Sequence, residues 1–177
     1  MKIHTIVGSM FAGKTTQVFR EEDINTRSGK TIIKVKPLID NRYGTENEIV
    51  SHNNLRTPCI VTTNLLDLVI PECDILIIDE GHLFKDLYEF ITSIETRDIV
   101  VIVTGLLTTY KKGVFFDDML KVVAISDKIT HLKSICYNCK KYKGIFSHNI
   151  SATSNIIDVG SCDKYIPLCR TCFNKLN

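Results

Sequence analysis

The chain has 177 residues, of which 44% are hydrophobic and 24% are charged, a composition typical of a globular protein. This excludes a disordered or fibrous chain, and at about 150 residues per domain it leaves room for one domain and a small addition. The formal net charge of +2 provides no bulk attraction to nucleic acid or to an anionic membrane, so we expect neither partner. No apolar run approaches the ~18 residues of a membrane-spanning helix. The N-terminus lacks a secretion signal, so a cytoplasmic location is expected.

Strands and helices alternate in the first part of the chain. Short β-branched runs predict strands at residues 3–7, 31–35, 74–79 and 99–103, with 122–125 as a candidate fifth. Helices are predicted at residues 14–27, ended by Ser28 and Gly29, and at residues 85–96, where apolar residues have helical spacing. Several strands are apolar on both faces, which indicates a buried parallel sheet. The alternation predicts an α/β fold with a doubly wound sheet.

The composition changes near residues 128–134. Beyond this point cysteines, lysines and turn residues replace the apolar runs. We therefore predict an α/β nucleotide-binding domain over residues 1–130 and a small metal-stabilised lobe over residues 131–177.

A phosphate-binding loop is predicted between the first strand and the first helix. Its pattern is G-x-x-x-x-G-K-T, formed by Gly8, Ser9, Met10, Phe11, Ala12, Gly13, Lys14 and Thr15. The position directly after a strand and before a helix is the context that this motif requires. Backbone N–H groups and the helix N-terminus would surround phosphate oxygens. Lys14 is expected to reach the β- and γ-phosphates, and the Thr15 hydroxyl to ligate Mg²⁺.

Two adjacent carboxylates follow another buried strand. Asp79 and Glu80 end the apolar run of residues 75–78. At the carboxyl end of a strand, Asp79 can hold Mg²⁺ and Glu80 can act as a base toward the group that attacks the γ-phosphate. Together with the phosphate loop, the pair predicts a nucleoside-triphosphate site without identifying the acceptor.

One interpretation of the acceptor is water. Residues 79–82 read D-E-x-H, ending at His82, as in RNA and DNA helicases. A nucleic-acid-stimulated ATPase would use Glu80 to activate water. The length argues against this hypothesis, because helicases of that type need two such lobes and this chain has room for one. The near-neutral charge also fits poorly with tracking a phosphate backbone.

The other interpretation comes from motifs distributed along the whole chain. Besides the phosphate loop and the two cysteine pairs, they are residues 36–43, 51–52, 79–84, 105–110, Phe115 and residues 163–165. In order and spacing, these motifs resemble the type II thymidine kinases over roughly residues 2–173.

The resemblance implies phosphoryl transfer from ATP to the 5′-hydroxyl of thymidine, on a RecA-like P-loop fold. It makes Glu80 the base and Asp79 the magnesium residue, and it places Asp40 and Arg42 beside the phosphates and the sugar. It also implies a homotetramer. The residues that it assigns to the nucleoside site are His82, Leu83, Tyr110, Ser147, Tyr165 and a "lasso" formed by Ile156, Ile157, Asp158, Val159 and Gly160.

The chain departs from the family pattern at several of these positions. Ser9 replaces a proline and Ala12 a serine, but both keep their backbone N–H groups. His82 replaces a glutamine and Leu83 a phenylalanine, while Asn149 stands where an arginine is usual. We expect these departures to leave the reaction class unchanged but to affect base specificity and catalytic rate.

Four of the seven cysteines form two C-x-x-C pairs, Cys136 with Cys139 and Cys169 with Cys172. Four thiolates are enough for a tetrahedral structural Zn²⁺ site. The separation of the pairs exceeds the usual ~15–20 residues, so a long excursion containing the lasso is expected between them. A redox C-x-x-C is the competing interpretation. The other three cysteines, Cys59, Cys73 and Cys162, follow no ligand pattern.

Overall fold

The computed structural model describes residues 1–41, 47–51, 53–151 and 164–176. The strands are β1 (Lys2–Gly8), β2 (Ile32–Pro37), β3 (Glu48–Val50), β4 (Arg56–Pro58), β5 (Ile60–Thr62), β6 (Ile75–Ile78), β7 (Val100–Gly105), β8 (Lys128–Leu132), β9 (Ser134–Ile135), β10 (Tyr142–Gly144), β11 (Phe146–Asn149) and β12 (Tyr165–Leu168). The helices are α1 (Lys14–Arg27), α2 (Leu87–Ser93), α3 (Asp117–Ala124) and α4 (Arg170–Phe173). No helix among these residues is both long and apolar enough to cross a membrane.

Six strands form one sheet in the order β5-β2-β6-β7-β1-β8, and every neighbouring pair is parallel. In β6, all four residues are buried and alternate between the two faces. Ile75 and Ile77 pack in the core that contains Val18 of α1. Leu76 and Ile78 pack on the opposite face, in the core that contains residues of α2 and α3. Helices therefore cover both faces, which confirms the predicted fold class.

The predicted strand at residues 122–125 is wrong. These residues belong to the end of α3 and its C-cap, because Met119 and Val122, three residues apart, are both fully buried against the sheet. Asp117 and Asp118 lie in the first helical turn, where negative charge favours the helix dipole. The strand that completes the sheet is β8, which pairs with β1 inside the predicted boundary region 128–134. It is an exposed edge strand, so its sequence carries little apolar signal.

Within residues 134–151 and 164–176, two antiparallel strand pairs and one short helix form a small lobe. β9 pairs with β10, and β11 pairs with β12. The buried residues of the lobe core are Cys136, Ile166, Leu168, Cys169 and Phe173. Phe146 stacks on Phe173 with ring centroids 4.4 Å apart. Such a core is small, so a metal ion at its cysteines would add substantially to its stability.

Candidate active site

The phosphate-binding loop occupies the turn between β1 and α1. Gly13, the residue before the helix, has a φ of 86°, a left-handed conformation that glycine adopts without steric cost. The Lys14 ammonium group folds back over the loop, donating to the carbonyl oxygens of Gly8 at 3.3 Å and of Ser9 at 3.1 Å. Only 7% of Lys14 is exposed. The loop thus holds its cation in place within a short, tightly curved backbone.

The C-terminal lobe contacts this loop directly. The Ser9 hydroxyl lies 3.0 Å from the Ser134 hydroxyl and donates to the Gly144 carbonyl oxygen at 3.1 Å. The Met10 backbone N–H donates to the Ser147 hydroxyl at 3.0 Å. A proline at position 9, which the family pattern favours, would lack the hydroxyl. The lobe therefore braces the phosphate loop through strands that adjoin the cysteine pairs.

The two carboxylates lie at the carboxyl end of β6 and are almost fully buried, with 4% of Asp79 and 6% of Glu80 exposed. The Thr104 hydroxyl, at the end of β7, donates to Asp79 Oδ1. The Glu80 N–H in turn donates to Thr104 Oγ1 at 3.3 Å. Glu80 has a φ of 51°, which is uncommon for a residue other than glycine.

A single 3-10 turn, Gly81–Leu83, follows the carboxylates. His82 Nδ1 lies 3.4 Å from Glu80 Oε2, and the His82 ring meets Phe116 edge to face at 4.7 Å between centroids. Gly81 is required by close packing, since a Cβ there would lie 2.7 Å from a methyl group of Val103. Leu83 is half-buried. The turn thus holds the His82 ring against the Glu80 carboxylate.

Some of the other predicted site residues lie in the described part of the chain, and the rest lie outside it. Asp40 is buried just after β2, at the same sheet edge as the phosphate loop, because the strands are parallel. Tyr110 is half-buried in the segment between β7 and α3, and Tyr165 is buried in β12 beside the strand that carries Ser147. The predicted residues that lie outside the described part of the chain are Arg42, Ile156, Ile157, Asp158, Val159 and Gly160.

A cavity of about 170 Å³ lies between the phosphate loop and the lobe. Its lining includes Gly8, Leu106, Leu107, Phe146 and Ser147. Of these, the two leucines and Phe146 are not among the residues predicted for the site. The leucines belong to the recognised motif of residues 105–110, which was the available signal, whereas Phe146 reaches the cavity only because the lobe folds against the loop.

The four paired cysteines come together as predicted. Their Sγ atoms all lie within 4.8 Å of one another, and the Sγ atoms of Cys139 and Cys169 are 3.8 Å apart. Tetrahedral Zn²⁺ with Zn–S bonds of about 2.3 Å requires sulfur separations of about 3.8 Å, so the cluster fits this ion. Thiolates this close together repel one another. Four thiolates at this spacing thus need a cation to offset their charge.

The remaining described cysteines are separate from the cluster. Cys59 is half-buried and Cys73 is buried, and burial raises the pKa of the Cys59 thiol to about 11. Such a thiol stays protonated at neutral pH and reacts slowly. Cys162 lies outside the described residues.

The parallel sheet, the loop that opens α1 and the carboxylates at the end of β6 define a P-loop α/β protein with a cysteine-rich lobe. A family model described as "Thymidine kinase" matches residues 1–173. The chain is 35% identical to a thymidine kinase of Sheeppox virus (strain KS-1) over 97% of this chain and 96% of that protein. It is 32% identical to one of Acanthamoeba polyphaga mimivirus over 98% and 82% of the two chains, and 30% identical to one of Pseudothermotoga lettingae over 99% and 96%. The chain therefore belongs to the thymidine kinase family.

Proposed function

We propose that this protein transfers the γ-phosphoryl group of ATP to the 5′-hydroxyl of thymidine, giving thymidine monophosphate. Family membership supports the class of acceptor. The observation that carries the chemistry is the buried pair Asp79 and Glu80 at the end of β6, at the same sheet edge as the phosphate loop. A base and a metal-binding carboxylate at this place are what phosphoryl transfer to a hydroxyl requires.

The phosphate loop, residues 8–15, would hold the ATP phosphates. Its backbone N–H groups and the N-terminus of α1 favour anions, and the Lys14 ammonium is already held over the loop. The Thr15 hydroxyl and the Asp79 carboxylate form an oxygen donor set that suits Mg²⁺. Bound with ATP, that ion would neutralise charge on the β- and γ-phosphates.

Glu80 is the residue that we assign as general base. A sugar hydroxyl has a pKa far above 7, so a positioned carboxylate that accepts its proton assists its attack. The Glu80 side chain is only 7% exposed, which restricts how its carboxylate can rotate, and His82 Nδ1 lies 3.4 Å from it. The proton would thus pass from the 5′-hydroxyl to a carboxylate whose orientation is set before substrate binds.

The nucleoside would bind between the end of β6, the segment after β7 and the lobe. We assign Leu83, Tyr110 and Tyr165 to the apolar and aromatic surface of this site, and the Ser147 hydroxyl lies beside the loop. We assign Asp40 and Arg42 to the phosphates and sugar, and residues 156–160 to the lasso over the base. A structural Zn²⁺ at the four cysteines, a homotetrameric assembly and a cytoplasmic location complete the proposal.

The decisive experiment supplies the purified protein with ATP and Mg²⁺ and a panel of nucleosides. We expect thymidine monophosphate as the main product. Parallel reactions with single-stranded DNA or RNA in place of nucleoside test the helicase-like hypothesis. Phosphate release stimulated by nucleic acid, without any nucleoside monophosphate, would overturn the proposed function.

A further inference from the structure

Thr104 occupies a special position in the sheet. It lies near the carboxyl end of β7, the strand between β1, which leads into the phosphate loop, and β6, which leads into the carboxylates. Its register partner on β1 is Ile6, and its predecessor Val103 pairs with Ile78 on β6. Thr104 is fully buried, with 0% of its surface exposed. The topology thus places one hydroxyl between the loop and the acidic pair.

The hydrogen bonds of this hydroxyl can run in only one direction. The Glu80 N–H can only donate, and it donates to Thr104 Oγ1. An ionised carboxylate can only accept, so the hydroxyl proton is directed to Asp79 Oδ1. One buried side chain therefore connects the backbone of Glu80 to the carboxylate of Asp79, with every proton assigned.

We propose that Thr104 is a positioning residue that orients both acidic residues of the site. This inference rests on the proposed function, in which Asp79 serves Mg²⁺ and Glu80 is the base. The bond to Oδ1 sets the rotation of the Asp79 carboxylate toward the metal. The bond from the Glu80 N–H holds the left-handed backbone that directs the Glu80 side chain. Thr104 itself touches neither substrate nor metal in this scheme.

The test compares Thr104→Val, which keeps the shape and removes the hydroxyl, with Thr104→Ser, which keeps the hydroxyl. Loss of a group that orients a metal ligand typically reduces activity or metal affinity about 10- to 100-fold. We expect Thr104→Val to lower kcat by about that factor and to raise the Mg²⁺ concentration for half-maximal rate, with the thymidine KM within a few-fold. Thr104→Ser should restore most of both losses.

A second readout does not depend on turnover. Calorimetry of ADP binding with and without Mg²⁺ measures how much affinity the metal adds. Thr104→Val should lose most of this Mg²⁺-dependent gain and keep the metal-free affinity. Thr57→Val is the matched control, because Thr57 is also buried and its hydroxyl joins the Glu22 carboxylate to the Lys34 ammonium away from the site.

Different results would contradict the role of the Thr104 hydroxyl and the proposed function. Wild-type kcat and Mg²⁺ dependence in Thr104→Val would overturn the inference, as would a Thr104→Ser variant as impaired as Thr104→Val, since the hydroxyl would then be irrelevant. If Thr104→Val does not fold, Thr104→Cys, whose thiol is a weak donor, should show an intermediate loss. If wild-type protein phosphorylates no nucleoside, the proposed function fails, and the ADP calorimetry still decides whether Thr104 orients the metal-binding carboxylate.

Discussion

Among the described residues, five charged side chains at the phosphate loop and its sheet edge are buried, with less than a tenth of each exposed: Lys14, Lys36, Asp40, Asp79 and Glu80. Burying a charge is unfavourable unless partners and hydrogen bonds compensate it. Here loop carbonyl oxygens accept from Lys14 and a threonine hydroxyl donates to Asp79. Such an arrangement serves the electrostatics of a site more than it serves folding stability. Conservative substitutions at these positions should therefore lower the catalytic rate more than the stability.

Glu80→Gln keeps the shape of the side chain but cannot accept a proton. General-base catalysis contributes typically ~10²–10⁴-fold, so kcat for thymidine monophosphate formation should fall by about that factor. ATP affinity should stay within a few-fold of wild type. The control is Glu89→Gln, at an exposed position of α2, which should retain full activity. A Glu80→Gln protein with wild-type kcat would remove Glu80 from the mechanism.

Leu83→Phe tests the base pocket. Leu83 presents less flat surface to a pyrimidine than the phenylalanine of the family pattern. An aromatic pair contributes about 0.5–1.5 kcal/mol beyond buried area, so the substitution should tighten thymidine binding by up to about tenfold. Binding is measured by calorimetry, with Leu176→Phe, at an exposed position near the C-terminus, as the control. Weaker binding in Leu83→Phe would mean that the pocket suits another base or that Leu83 lies outside it.

At the scale of elements, β2 and β6 start together at one hydrogen-bonded corner. The Asp74 carboxylate accepts from the Thr31 N–H at 2.8 Å, from the Thr31 hydroxyl at 2.9 Å and from the Lys30 ammonium at 3.1 Å. The Thr31 backbone N–H is the main reason that the pKa of Asp74 falls from 3.8 to about 2. The corner aligns two central strands that are adjacent in the sheet.

Asp74→Asn should therefore lower stability in a pH-dependent way. A carboxyl group whose pKa is depressed by folding stabilises the folded state above its unfolded pKa. That contribution is lost as the pH falls from about 4 toward about 2. Urea midpoints of wild type and Asp74→Asn should differ at pH 7 and converge below pH 4, with Glu72→Gln, at an exposed position, as the control. A difference independent of pH would show that the charge of Asp74 does not matter.

At the scale of the whole molecule, the lobe contacts the loop between β1 and α1 directly. Ser134, Gly144 and Ser147, which contact the phosphate loop, lie on β9, β10 and β11, and these strands adjoin the cysteine pairs in sequence or in the sheet. Disruption of the cysteine cluster should therefore weaken the contacts between these strands and the loop. In our proposal the lasso also lies between the two pairs, so substrate binding depends on the lobe.

Cys169→Ser tests this coupling. Metal analysis of wild type should find about one Zn²⁺ per chain, as expected for four thiolates around one ion. The variant should bind less zinc and show a raised thymidine KM, because the strands that brace the loop lose their anchor. Cys73→Ser, outside the cluster and before the amino end of β6, should change neither quantity. A stoichiometric disulfide without zinc in freshly purified wild-type protein would overturn the zinc assignment.

Sequence reasoning succeeded where a signal is local and failed where it depends on the rest of the fold. The helix of residues 14–27 begins and ends as predicted, because a phosphate loop precedes it and a turn follows it. The strand predicted at residues 122–125 was wrong, because four apolar residues fit a buried helix end as well as a strand. β8 was missed as a strand, because an edge strand exposed to solvent needs no continuous apolar run.

By itself, the sequence determined the fold class and the cysteine pairs, and it predicted the phosphate loop and the acidic pair, because each of these signals is a local pattern of residues. The tertiary structure alone decided which distant residues contact the loop and the acidic pair. Thr104 lies 25 positions from Asp79, and Ser134 lies 125 positions from Ser9. Contacts of this kind follow from strand order, register and the packing of the lobe against the loop, which no local spacing encodes.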